Sequence, residues 1–244
     1  MNQPYWDQNK SNYWKDQGLQ TNAAQSQGLQ QFMVQTYTWM ALGLAVTGFL
    51  AFFTVSFEPL LHFVFGGGLF PLIIAEIALV IYLNYALNKG IHPTKGLALF
   101  LLYSALNGLT ISGVLLAYTM TSVSQAFFLS AGMFIGMSFY GYVTKKDLSG
   151  YGSFFMMAVF GIFLAMVVNL FLGSPAIELL VSLVGVLAFT GLAAYDAQKL
   201  KHFYSVHHSD SQGLARLSIQ GALSLYLDFI NLFLFVLRLL GRRR

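Results

Sequence analysis

Two long stretches of this chain contain no charged residue, one between Asp16 and Glu58 and one between Lys95 and Lys145. The second runs for about 49 residues, more than twice the roughly 20 apolar residues a helix needs to cross the hydrocarbon core of a bilayer. Only 9% of the 244 residues are Asp, Glu, Lys or Arg, and 57% are hydrophobic. Soluble domains carry about 25% charged residues, so a water-facing globule of this composition has little with which to cover its surface. That scarcity argues against a soluble enzyme domain and a disordered chain. It also argues against a nucleic-acid binder, because 13 basic and 9 acidic residues are too sparse for a stripe that tracks phosphates. Cys is absent, which removes disulfides, thiolate metal sites and cysteine nucleophiles together. The composition therefore reads as an all-α, polytopic membrane protein.

The remaining charges and the turn residues punctuate the spans. Seven helices are expected, at about 32–57, 69–88, 95–118, 122–143, 151–172, 176–200 and 215–240. Glu58-Pro59, Gly66-Gly67-Gly68, Gly90 to Pro93, Ser149-Gly150 and Gly173-Ser174-Pro175 all fall between them, where breakers belong. Residues 1–30 are rich in Gln and Asn and lack the basic start and apolar core of a signal peptide. They read as a flexible polar tail whose Trp6, Tyr13 and Trp14 suit a membrane interface. The organisation expected is thus a tail over 1–30, a seven-helix domain over 31–241 and a basic end at 242–244.

Orientation follows from the lysines. Lys10 and Lys15 precede the first span, Lys89 and Lys95 lie in the second connection, Lys145 and Lys146 in the fourth, and Lys199 and Lys201 by the sixth. The first, third and fifth connections have no Lys or Arg, so the positive-inside rule puts the N-terminus in the cytoplasm. Arg238 and Arg242-Arg243-Arg244 dissent, since a seventh full span carries them outside. The length of the last apolar run favours that full span over a segment that dips and returns. Gly132-x-x-x-Gly136 and Ala193-x-x-x-Ala197 are small-residue pairs of the kind that let helices approach closely in lipid.

Acidic residues inside spans are costly and are functional candidates by default. Glu76 sits in FPLIIAEIALVIYLN, Asp196 in GLAAYDAQKLK and Asp228 in GALSLYLDFINLFLFVLRLLG. Lys199, three residues from Asp196, offers it a helical ion pair. Asp228 has no such neighbour: Arg238, the nearest basic residue of its span, is over two turns away. Asp228 must be protonated, hydrogen-bonded to another helix, or in contact with a wet cavity. The sixth and seventh spans are sequential and antiparallel, which allows Asp196 and Asp228 to meet. Neighbouring carboxylates tend to share a proton, and such a pair can sense pH. Unprotonated, the same oxygens suit Ca²⁺.

GLAAYDAQKLK followed by LSLYLDFINLFLFVLRLLG resembles the Bax inhibitor-1 (transmembrane Bax inhibitor motif) family, and SGVLLAY after NGLTI and SFYGYVTKKDLSGYG resemble its bacterial branch. The resemblance covers about residues 30–241. It implies a seven-helix bundle in a bacterial inner membrane and a pH-sensitive Ca²⁺ leak gated by an aspartate pair on the last two helices. Asp196 and Asp228 match those positions, and Glu76 matches an acidic position of the second helix. One departure stands out. Family members can carry an arginine late in the second helix that latches onto the pair, but this chain has no Arg before Arg216 and reads YLNYALNKG there. Asn84, Asn88 and Lys89 do not reproduce a guanidinium fork.

Other candidates have plainer readings. His207-His208-Ser209-Asp210, with His202 nearby, lacks the fixed geometry of a metal site and reads as a solvated loop. Ser104, Ser112, Ser130 and Ser138 have no evident His and acid partners, so an enzyme is not expected, and neither is a bound cofactor. The leading expectation is a passive, pH-sensitive cation leak, of calcium by the family resemblance, with Asp196 and Asp228 as gate and calcium ligands. Glu76 then lines the path or coordinates the ion. The partners expected are the lipid bilayer and calcium. The rival is a membrane interaction protein that regulates a membrane protease or stress-response partner without transport. A secondary transporter is a further alternative, but evident repeats and broken helices are lacking.

Overall fold

The computed structural model describes residues 5–207 and 210–242, and helices make up nearly all of them. In order they are α1 (Tyr5–Ser56), α2 (Glu58–Phe63), α3 (Leu69–Asn88), α4 (Pro93–Ala117), α5 (Met120–Val143), α6 (Ser149–Leu172), α7 (Pro175–His207) and α8 (Ser211–Leu240). Seven stretches among the described residues are long and apolar enough to cross a membrane, with Glu58–Asn88 counting as one.

Local chemistry explains the boundaries. Pro93 lies in the first turn of α4 behind His92, whose imidazole accepts from Thr94 N at 3.4 Å. Proline is tolerated there because that N–H has no helical partner to lose. Thr119 caps α5 by accepting from Ser122 N. Gly173 closes α6 in the left-handed conformation, φ 59°, which glycine adopts without a Cβ penalty.

Three boundaries differ from the sequence expectation. The stretch read as the first connection is mostly helical: Pro59 opens α2, a π-helical turn spans Val64–Gly68, and the break is confined to Gly67 at φ 133°. The first helix reaches back to Tyr5, through most of the stretch read as a flexible tail, while the part long and apolar enough to cross a membrane is Gln25–Ser56. Helix α7 likewise runs past the expected end at 200, to His207. The start of the Gln25–Ser56 stretch packs on the last turns of α7, with the Phe32 and Tyr204 ring centroids 5.6 Å apart. The proposed loop around His207–Asp210 falls partly outside the described residues.

Helix α8 is the centre of the bundle. It packs against α1, α4, α5 and α7, and 61% of its most apolar stretch is buried, against 6% for the Glu58–Asn88 and α6 spans. With 30 residues it is about 45 Å long, enough to cross the bilayer fully. Its end reaches the α4–α5 turn, where Thr119 N donates to Arg242 O at 3.2 Å and Arg242 N donates to Ser122 Oγ at 3.0 Å. Arg238 near that end stacks on Phe235, 5.5 Å from the ring centroid. The C-terminus therefore lies opposite the lysine-bearing end, as a seventh full span requires.

In lipid the hydrophobic effect gives no net drive for helix pairing, so close packing must supply it. The Ala193 and Ala197 pair does this, both residues being fully buried. Gly132 and Gly136 do not: a Cβ on either meets nothing within 4 Å. The buried face of α5 runs instead through Ser130, Phe134, Ser138 and Gly141, so the expected glycine contact face is displaced. Gly141 provides the close approach, since its position abuts the Ala194 backbone of α7.

Candidate functional site

Asp228 is carried into the middle of the protein by the most buried helix, and only 6% of it is exposed. Its Oδ2 is buried and has no hydrogen-bond partner among the described residues. Asp196 on α7 is half-buried, and its charge acts directly on Asp228. Ser224, one turn before Asp228 on α8, turns its hydroxyl toward Asp196, and both line a small cavity of about 40 Å³ between α7 and α8. From α1, Tyr37 faces Asp196 and Ser138 of α5. Asp196 and Asp228 thus lie on the packed helices α7 and α8, near enough for the charge of one to act on the other.

Lysine, not arginine, supplies the nearby cation. The Lys199 ammonium acts electrostatically on both aspartates. It makes no ion-pair contact with Asp196, because the ion pairs within 4 Å among the described residues are His62–Glu58 and Arg216–Asp210. Lys199 instead lies over the Tyr195 and Phe203 rings, 5.7 and 5.6 Å from their centroids. The residues at the end of α3 that stand near the family's arginine position are occupied locally. Asn84 Nδ2 donates to Val80 O at 3.0 Å, Asn88 Nδ2 to Asn84 O at 2.8 Å, and Lys89 sits 5.7 Å from the Tyr85 ring.

Glu76 belongs to a different cluster. Its carboxylate accepts from Thr110 Oγ1 at 2.7 Å and Asn107 Nδ2 at 3.2 Å, both on α4. Asn107 Oδ1 accepts from the Tyr226 hydroxyl at 3.1 Å, and that hydroxyl bonds Thr47 Oγ1 of α1 at 2.7 Å. The network joins α1, α3, α4 and α8 and ends on Glu76 as its final acceptor. Tyr226 is also wedged edge-on against Phe100 and Tyr103, with centroids 5.6 and 5.9 Å away.

Sequence reading singled out the three acids but not their partners. The signals were present as helical spacings: Asn107 and Thr110 at i, i+3, and Ser224 and Asp228 at i, i+4, each pair sharing one helix face. Among the described residues no three His, Cys, Asp or Glu side chains cluster as a metal cage. The aspartate pair offers a cation two carboxylates and the Ser224 hydroxyl, fewer groups than the six to eight oxygens around a resident Ca²⁺.

Comparison with known proteins agrees with the family resemblance. The family described as "Inhibitor of apoptosis-promoting Bax1" matches residues 29–244. The chain is 46% identical over 220 residues to inner membrane protein YbhL of Escherichia coli (strain K12), covering 89% of this chain and 94% of that one. An uncharacterised protein of Rickettsia prowazekii is 41% identical over 224 residues, 91% of this chain and 94% of its own. Another, from Deinococcus radiodurans, is 47% identical over 211 residues, 86% and 90% respectively. With the family matched from the start of the first span onward and seven apolar helices to cross the bilayer, the chain is a multi-pass inner-membrane protein that belongs to the bacterial branch of the Bax inhibitor-1 family.

Proposed function

We propose that this protein is a pH-sensitive passive leak for cations, calcium foremost, gated where Asp196 and Asp228 meet. The observation that carries the reading is the unpartnered Oδ2 of Asp228, buried on the central helix and within the field of a second carboxylate. An ionised carboxylate in that setting is costly, and two neighbouring carboxylates resist ionising together. A shared proton relieves the repulsion, and so does a passing divalent cation. The groups facing Asp228 that bear on this exchange are Asp196 and Lys199 of α7, with Tyr37 of α1 beside Asp196. The small number of oxygens suits a site of passage, where an ion must leave as readily as it enters. The choice of calcium rests on the family resemblance and on the affinity of hard cations for carboxylates.

The test is Ca²⁺ flux into proteoliposomes across a pH series for the parent protein, Asp228→Asn and Asp196→Asn. The parent's flux is expected to change with pH, and the Asn variants to flatten that dependence. Equal profiles for parent and Asp228→Asn overturn the gate assignment. No flux from the parent at any pH overturns the leak and favours the interaction-protein reading.

A further inference from the structure

At the lysine-bearing end, the α5–α6 loop and the last turns of α7 enclose a cavity of about 350 Å³. Lys145 and Lys146 of the loop and Lys199 of α7 line it, with His202 beside them and Asp147 as the opposing charge. The walls are held in place. Gln198 Oε1 accepts from Leu148 N at 2.7 Å, and Gln198 Nε2 donates to Lys146 O at 2.7 Å, so one side chain clamps the loop to α7. Asp147 Oδ1 accepts from Ser149 N at 2.9 Å, which commits that oxygen to an Asx turn leading into α6. The three lysines outnumber the single carboxylate, and none of the three is in an ion pair within 4 Å among the described residues.

We propose that this cavity binds the phosphate headgroup of an anionic phospholipid of the cytoplasmic leaflet, through Lys145, Lys146 and Lys199. Location and charge select that occupant. The cavity includes Ser149, the first residue of the apolar α6 span Ser149–Leu172, and the start of a span is where headgroups lie. The next exposed apolar residues of α6, Tyr151 and Phe154, are 56% and 60% exposed and give acyl chains a surface to lie on. Basic pockets between helices on the cytoplasmic side suit anionic headgroups. Lys199 also links the site to the interior, because the ammonium that meets the phosphate is the one that acts on Asp196 and Asp228. That link to the leak rests on the function proposed above, whereas lipid binding does not.

Native mass spectrometry of the full chain in detergent tests the site with phosphatidylglycerol, phosphatidylcholine and inorganic phosphate as probes. The parent is expected to retain phosphatidylglycerol over phosphatidylcholine. At about fivefold per surface lysine, Lys145→Gln combined with Lys146→Gln weakens that retention about 25-fold. The corresponding Lys→Arg pair keeps it, and so does Lys95→Gln on the α3–α4 connection at the same end. Equal retention of the two lipids by the parent overturns the proposal, as does full retention of phosphatidylglycerol by the Gln pair. Displacement of the lipid by millimolar inorganic phosphate overturns it in favour of a soluble phosphate ligand. None of these readouts involves flux, so failure of the leak and failure of the lipid site remain distinguishable.

Discussion

Replacing Gly141 with alanine tests the packing that holds the aspartate pair in place. A Cβ at Gly141 falls on the carbonyl oxygen of Ala194, with the Ala194 carbonyl carbon 2.7 Å and its Cα 2.8 Å away. These are backbone atoms of a buried helix and have no rotamer by which to retreat. Ordinary contact begins at 3.4 Å, so α5 and α7 must part by at least about 0.7 Å. Overpacking of this kind costs about 1–3 kcal/mol. At about 2–4 °C per kcal/mol for a chain of this size, the thermal midpoint in detergent falls by about 2–12 °C. Gly136→Ala, five residues earlier on the same helix, is the internal control. Its new methyl group meets nothing within 4 Å, and alanine is the better helix former, so its midpoint holds or rises slightly. The assay is a paired thermal unfolding of the two variants and the parent in one detergent. Equal midpoints for Gly141→Ala and Gly136→Ala refute the reasoning, because they show that α5 does not approach α7 through Gly141.

Two further outcomes follow from the polar contacts. Tyr226→Phe strips the hydroxyl that joins Thr47 to Asn107 and is expected to cost about 0.6–1.7 kcal/mol, the usual range for interhelical hydrogen bonds in membranes. Thermal unfolding of Tyr226→Phe, Thr47→Val and the double variant checks it, and strict additivity of the two changes contradicts the network. Asp147 lies outside the spans, and its hydrogen bonds from Ser149 hold its carboxyl below the ordinary value of 3.8. A folded value below the unfolded one means that the carboxylate stabilises the start of α6 fully above about pH 4. That contribution is lost as the pH falls through the lowered folded value. Amide exchange in the first turn of α6 is therefore faster in Asp147→Ala than in the parent at neutral pH, and the two converge in strong acid; equal exchange at neutral pH contradicts a stabilising role for that hydrogen bond.

The spans were legible because lipid imposes a composition that a run of residues displays directly. The expected 69–88 span coincides with α3, and 122–143 and 151–172 miss α5 and α6 only by the first two residues. Where polar sequence continues a helix, composition is silent. Glutamine and asparagine do not forbid helix, so nothing in residues 5–24 announces that α1 begins at Tyr5. The triple glycine at 66–68 looked like a loop, yet only Gly67 leaves the helical region. The glycine pair at 132 and 136 failed for a different reason. Its spacing establishes that the two glycines share a face of α5, and says nothing about which way that face points.

Rotation about α8 also decides what the three intramembrane acids have to do with one another. Read by position in the chain, Glu76, Asp196 and Asp228 form one set. On the central helix, however, Tyr226 and Asp228 are two residues apart, which is about 200° of rotation in an α-helix. Tyr226 therefore faces Thr47 and Asn107, through which it reaches Glu76, while Asp228 faces Asp196. The consequences for charge differ. Both Glu76 oxygens accept hydrogen bonds from α4, so that carboxylate is already held by fixed donors. Asp228 Oδ2 has none among the described residues, and the nearest cation, Lys199, is stacked on aromatic rings instead of paired with either aspartate. A buried charge that no fixed hydrogen bond balances is the one whose free energy a proton, a cation or a displaced lysine is able to change. In the function proposed above, the centre at α7 and α8 is therefore the one that responds, and the one at α3 and α4 the one that holds.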